Sequence, residues 1–343
     1  MSKTGNTTYL GTAGKIKPTK TYEIVNINST GGFNGRYFVT LRITEACDLH
    51  CTYCDWKDGK HYEYESIITS INKLFELFQK QKYEQVKIYF HGGEPTRHKN
   101  IVQILEHIKR KSEETGVQAV TEVQTNLTIK LDVLKKILPL CDSLNITFHY
   151  LELVKRPYKL ASFNANMDYI KSVGQVIHNL DIMLEDVPVE QIDEFYDLIE
   201  GYLAYDKIIN SEMIYGFGYN SENYNEHTQQ KHYEFYKKYN KTDQQYRIDG
   251  QLYTTNEMFK NGLDCTGWWC AAGVTSIFVN GDGNVFNCGI HMTNHIQNFT
   301  DAPFTNLVND PLAVTKMSIL NKTGTTCRWD YCGGDFYLEK VKK

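Results

Sequence analysis

No long apolar run and no block of like charge occurs in this 343-residue chain. A membrane-spanning helix needs about 20 consecutive apolar residues, and no stretch approaches that length, so no membrane partner is expected. The net charge is −4, and the nearest thing to a basic patch, HIKRKSEE, is interleaved with acids. Such a pattern is a solvated helix face, and it leaves nucleic acid without an electrostatic footprint. The opening segment, MSKTGNTTYLGTAGKIKPTK, has no apolar core of a secretory signal. The expected compartment is the reducing cytoplasm, where structural disulfides are rare. Residues 1–35 are mostly polar and are expected to form a partly disordered or strand extension.

Without disulfides, nine cysteines need another use, and they are not scattered. Cys47, Cys51 and Cys54 fall within ITEACDLHCTYCDW, while Cys265, Cys270, Cys288, Cys327 and Cys332 lie in the last quarter. Clustered thiols at short spacing in a reducing compartment point to metal. Cys141, alone in the amphipathic ILPLCDS, reads as a small buried hydrophobe.

From residue 36 the pattern alternates. YFVTLRIT reads as a strand ending at the first cysteine loop, and YESIITSINKLFELFQKQ carries Ile67, Ile71, Leu74, Phe75 and Phe78 at helical spacing. QVKIYFHG, VTEVQTN, LNITFHY, LDIMLED and SEMIYGF continue the strands, with helices between them, to about residue 218. About six strand–helix units imply an α/β fold with a parallel sheet, whose ligand chemistry gathers at the C-terminal strand ends. Residues 219–262 are polar and Tyr-rich and are expected to be a helical connection. From 263 to 343 the cysteines, the tryptophans and the hairpin signal VNGDGNVF suggest a second, smaller domain.

C-x3-C-x2-C is tighter than a zinc site needs, although His50 and His61 leave a mixed zinc site open. Three thiolates on a cubane [4Fe–4S] cluster would leave its fourth iron without a protein ligand. The loop resembles the signature of the radical S-adenosylmethionine (SAM) superfamily, including an aromatic, Tyr53, before the third cysteine. HGGEPT ends the second long strand where that family carries its GGE motif, QTN ends the next, and FHY the one after. The resemblance covers roughly residues 36–218 and implies a partial (βα)6 TIM-like barrel. It also implies that Gly92, Gly93 and Glu94 receive the SAM ammonium, and that Tyr53, Gln124, Asn126 and His149 are further SAM contacts. A flavodoxin- or ferredoxin-type electron donor belongs to the same expectation.

Cys270, then Gly283, then Cys288 resemble the opening of the twitch and SPASM domains, auxiliary iron–sulfur extensions of the same superfamily. Too few thiols follow for two all-cysteine clusters. The expectation is a small α+β domain with one auxiliary [4Fe–4S] cluster on Cys270, Cys288, Cys327 and Cys332, with Cys265 as competitor and structural zinc as the alternative. The resemblance implies reductive cleavage of SAM and hydrogen abstraction from a peptide or protein side chain. A small polar metabolite is the second substrate class, and a non-catalytic iron–sulfur or zinc protein the third reading. In sulfatase-maturing relatives an acidic residue follows the hairpin cysteine; here Gly289 does, which speaks against that particular activity. Candidate proton acceptors are His291, Asp282 and Tyr215.

Overall fold

The computed structural model of the protein describes residues 20–24, 37–52, 54, 58–215, 226–239, 245–248, 251–254, 269–270, 273–274, 276–288, 303–323, 325–326 and 340–342. The strands run β1 (Lys20–Ile24), β2 (Tyr37–Ala46), β3 (Asp58–His61), β4 (Gln85–Gly92), β5 (Gln118–Thr125), β6 (Ser143–Phe148), β7 (Ile177–Leu184) and β8 (Ile208–Tyr215). The later ones are β9 (Gln245–Ile248), β10 (Gln251–Thr254), β11 (Trp269–Cys270), β12 (Ser276–Asn280), β13 (Asn284–Phe286), β14 (Thr305–Asn306), β15 (Thr325–Thr326) and β16 (Lys340–Lys342). The helices are α1 (Tyr64–Gln81), α2 (Ile101–Thr115), α3 (Leu131–Ile137), α4 (Tyr150–Val154), α5 (Pro157–Val173), α6 (Ile192–Leu203), α7 (Glu226–Tyr239) and α8 (Ala313–Thr323).

The main sheet has the order β14-β13-β12-β2-β4-β5-β6-β7-β8, and β2 through β8 in this path pair in parallel. Each parallel connection carries at least one helix, as such crossovers require. Val39, Leu41 and Ile43 of β2, Val86, Ile88 and Phe90 of β4, and Leu144, Ile146 and Phe148 of β6 are fully buried. On α1, the predicted stripe Ile67, Ile71, Leu74, Phe75 and Phe78 is buried as well. Each such side chain removed from water contributes about 1.5–3 kcal/mol.

The opposite face of the sheet is polar. Lys87 Nζ meets Glu122 Oε2 at 3.1 Å, Ser143 Oγ donates to Glu122 Oε2 at 2.9 Å, and Asn145 Nδ2 donates to the Tyr89 hydroxyl at 3.2 Å. Gln124 Nε2 reaches Thr147 Oγ1 at 3.4 Å. Parallel strands with apolar cover on both faces read as continuous hydrophobic runs; these strands alternate instead, which leaves one face for hydrogen bonding.

Three segments differ from the sequence reading. The segment FNANMDYIKSV predicts a helix from Phe163; the helix begins at Pro157, a residue suited to the first helical position, and the short α4 precedes it. Residues 219–262 contain α7 but also the antiparallel pair β9–β10, whose four-residue strands are too short and polar for a clear alternating pattern. β9 further pairs with β1 of the N-terminal extension. The VNGDGNVF hairpin does form, as β12–β13, yet β12 lies parallel to β2 and extends the main sheet. Residues 276–286, expected in the smaller domain, therefore share the large sheet, and the Tyr37 hydroxyl at the start of β2 lies 3.1 Å from the Asn321 amide of α8. Among the described residues, no helix is long and apolar enough to cross a membrane.

Phe148, the last residue of β6, packs against Phe163 (5.1 Å between ring centroids), Tyr202 (5.3 Å) and Phe195 (6.4 Å). Phe148→Ala should cost about 3–5 kcal/mol of stability by urea denaturation; a loss under 1 kcal/mol would show that this cluster does not anchor the sheet.

Candidate functional site

The cysteine loop leaves the C-terminal end of β2, and the turn after β4 grips that end. Gly93 N donates to Thr44 O at 3.0 Å and Glu94 N to Ala46 O at 2.8 Å, one residue before Cys47. Such close approach excludes side chains. A Cβ on Gly92, whose φ is +136°, would lie 2.2 Å from Thr44 O, and one on Gly93 would lie 2.4 Å from Ala46 O. The paired glycines of HGGEPT therefore let the two strand ends meet backbone to backbone.

Glu94 extends the grip to the next strand. Its carboxylate is 1% exposed. One oxygen accepts from Thr96 N at 3.1 Å and Thr96 Oγ1 at 2.5 Å, and the other from Asn126 N at 2.6 Å. Burial pushes this carboxyl up to about 7, against the pull of the Asn126 and Thr96 donors. Both oxygens thus serve the protein. The expected contact of Glu94 with an ammonium has to share a carboxylate already occupied.

Asp48, between the first two cysteines, is the second brace. It pairs with Lys159 of α5, accepts from Thr128 Oγ1 at 2.8 Å, and accepts from Asn126 Nδ2 at 3.0 Å. Burial opposes its charge, but the Lys159, Asn126 and Thr128 bonds hold its pKa below the usual carboxylate value. Lys159 is only 8% exposed. A third tie joins His50 N to Glu152 Oε2 of α4 at 3.3 Å, and Glu152 pairs in turn with Lys155 (2.9 Å) and Arg156 (3.0 Å).

Among the described residues the three cysteines form no disulfide, and Cys54 N donates to Cys51 O at 3.1 Å to turn the loop. Burial and the nearby Glu94 push the Cys47 thiol up to about 12. A thiol so placed is a poor nucleophile, and a bound cation is what would make it a thiolate. Cys51 Sγ lies 3.5 Å from His149 Nδ1, and Asn126 Nδ2 lies 3.7 Å from Cys47 Sγ. Among the described residues, no three His, Cys, Asp or Glu side chains form a single-ion site. A cubane asks for a different arrangement, since each thiolate takes its own iron. The donor set and its anchored loop fit such a cluster.

Other expected residues fall variously. Gln124 bonds Thr147 across the polar face, whereas Tyr53 lies outside the described residues. Asp282 sits in the β12–β13 turn, where its carboxylate accepts from Asn284 N and Nδ2, both at 3.2 Å. Tyr215 closes β8, its side chain undescribed, and His291 lies outside the described residues. Cys288 is half-buried just past β13, and Cys270 lies in β11. Cys265, Cys327 and Cys332 lie outside the described residues.

Sequence reasoning missed Asp48, Lys159 and Glu185. Asp48 had a signal, its place between two clustered cysteines, whereas Lys159 had none. Glu185 follows β7, is 7% exposed, and accepts from Leu151 N at 2.8 Å. Burial pushes it up to about 7.

Residues 41–199 match the Radical SAM superfamily. All the residues braced around the cysteine loop lie within the matched segment. An uncharacterized protein of Methanocaldococcus jannaschii is 30% identical over 132 residues, which is 37% of this chain and 44% of that protein. The GTP 3',8-cyclase of Actinobacillus succinogenes is 34% identical over 76 residues, 21% of this chain and 22% of the cyclase. The chain thus spans less than half the length of these curated relatives. In fold it resembles anSMEcpe with bound AdoMet and Cp18Cys peptide, at TM-score 0.53 and 12% identity over 87% of this chain and 88% of that one. A second structure of anSMEcpe with bound AdoMet gives TM-score 0.54 and 12% identity over the same shares.

Two outcomes are expected. Lys159→Ala leaves Asp48 without its cation and should cost about 3 kcal/mol, the low end for breaking a buried pair because Thr128 and Asn126 remain as donors; unchanged stability in urea would remove Asp48–Lys159 as a brace. Glu185 has a raised folded pKa, so its favourable contribution is full below the unfolded value near 4.3 and is lost as pH rises through about 7. Relative to wild type, Glu185→Gln should gain on the order of 3 kcal/mol between pH 4.5 and 8. Parallel pH profiles for the two proteins would contradict this.

Proposed function

We propose that this protein is a radical SAM enzyme in which Cys47, Cys51 and Cys54 hold a [4Fe–4S] cluster whose open iron receives SAM, and that it acts on a peptide or protein side chain. The observation that carries the reading is the loop itself: three cysteines at the end of β2, tied to two neighbouring loops through Glu94 and Asp48. When bound and reduced, such a cluster would supply the one electron that splits the SAM sulfonium into methionine and a 5'-deoxyadenosyl radical able to take a hydrogen atom from substrate. The chain's part is placement. Backbone carbonyls at Gly92 and Gly93, with Glu94, Gln124, Asn126 and Tyr53, are the groups we assign to SAM.

The six parallel strands with one polar face support a partial (βα)6 barrel over residues 36–218. A twitch- or SPASM-like unit over 263–343, with one auxiliary [4Fe–4S] cluster, is supported by backbone pairing. β11 sets Cys270 opposite Thr325, two residues before Cys327 in the chain, and Cys288 follows the β12–β13 hairpin. The peptide reading draws on anSMEcpe, which binds the Cp18Cys peptide. A small polar metabolite is the second reading, favoured by the hydrogen-bonding face of Tyr89, Gln124, Asn145 and Thr147. A flavodoxin- or ferredoxin-type donor and a cytoplasmic location complete the proposal.

Anaerobic reconstitution tests it. We expect about eight iron and eight sulfide per chain, as two cubanes, falling to about four of each when Cys47, Cys51 and Cys54 are changed together to Ala. The dithionite-reduced wild type should release 5'-deoxyadenosine and methionine from SAM, and the triple variant none. Full iron retention in that variant would overturn the ligand assignment.

A further inference from the structure

Two side-chain nitrogens face the sulfurs of the cysteine loop. His149 Nδ1 lies 3.5 Å from Cys51 Sγ and Asn126 Nδ2 lies 3.7 Å from Cys47 Sγ. Both suit N–H···S bonds, since sulfur is larger than oxygen and lengthens the donor–acceptor distance beyond the usual ~2.9 Å. Each nitrogen is also held there by independent contacts. Asn126 Oδ1 accepts from Thr128 N at 3.1 Å and Thr128 Oγ1 at 2.7 Å, which turns the amide nitrogen toward Asp48 and Cys47. His149 is the residue between β6 and α4, so its backbone is set by both elements. Phe148 before it is locked in the aromatic cluster, and the His149 carbonyl accepts from Leu153 N at 3.1 Å. The same helix reaches back to the cysteine loop through Glu152 and His50 N, the residue before Cys51.

We infer that His149 is a positioning residue for the cluster, a hydrogen-bond donor to the Cys51 sulfur that raises the cluster's reduction potential, rather than a contact to SAM. The inference rests on the radical SAM reading, in which Cys51 is a cluster ligand. A metal-bound thiolate carries no proton, so the imidazole nitrogen facing it is the donor. Donation to a ligand sulfur withdraws electron density and stabilises the reduced, more negative cluster. Asn126 does the same at Cys47, but it also braces Asp48 and Glu94. His149 is therefore the cleaner residue to change.

The test uses the full reconstituted chain without SAM. His149→Phe keeps an aromatic ring and removes the donor, and His149→Gln keeps an amide donor. Iron and sulfide are measured first, and then the midpoint of the Cys47/Cys51/Cys54 cluster by EPR-monitored potentiometry. We expect His149→Phe to retain wild-type iron with a lowered midpoint, and His149→Gln to recover part of the shift. A His149→Phe midpoint equal to wild type would overturn the inference. Should His149→Phe lose its cluster, wild-type protein with histidine-selective ¹⁵N labelling decides: pulsed EPR of the reduced cluster should resolve a coupled histidine nitrogen, and none would also overturn it. The underlying reading fails separately and visibly, as wild-type protein that assembles no cluster dependent on Cys47, Cys51 and Cys54.

Discussion

A single buried glutamate joins the three strand ends on which the proposed chemistry depends. Glu94 follows β4, its backbone N–H is bonded to the end of β2 at Ala46, and its side chain holds Asn126 after β5. Removing a carboxylate from water is unfavourable, and burial accordingly raises the pKa of Glu94. Three donors offset it. The result is that the cysteine loop, the GGE turn and the QTN turn cannot move independently. Asp48 repeats the arrangement with opposite means, for its charge is kept by Lys159. A flexible loop of three thiols would have to be ordered by its cluster; here much of the ordering belongs to the protein.

The sheet behind this site has an unusual distribution of polarity for parallel strands. Val39, Ile88 and Ile146 are buried on one face, while on the other Lys87 and Ser143 bond Glu122, Asn145 bonds Tyr89 and Gln124 bonds Thr147. Most of these groups find a partner on this face, while Asn145 Oδ1 is a buried acceptor without one among the described residues. The same network presents hydroxyl and amide groups where a substrate could meet them. Its polarity is what keeps a small polar substrate in contention beside a peptide.

Much of this was legible from residues alone. The strand–helix alternation, the stripe on α1 and the position of Cys47, Cys51 and Cys54 after β2 follow from periodicity and spacing. Other features had no local signature. Lys159 lies 111 residues from Asp48, and nothing in PYKLAS announces an ion pair across that span. The family resemblance implies SAM contacts at Glu94 and Asn126, and their pairing with each other has no local signature. The β9–β10 hairpin escaped because its strands are four residues long and polar, so their pairing with β1 is decided by tertiary context. The attachment of β12 to β2 escaped for a related reason, because composition marks a change at residue 263 and says nothing about which sheet edge the hairpin joins.

The central claim is that the braced thiols leave one iron open for SAM. Electron–nuclear double resonance on the reduced protein with SAM carrying ¹⁵N in its amino group and ¹⁷O in its carboxylate reads that directly. The account predicts coupling of both labels to the cluster that depends on Cys47, Cys51 and Cys54, with the signal absent when all three are replaced. An intact cluster at those cysteines that shows no coupling to either label, with SAM bound, would contradict it.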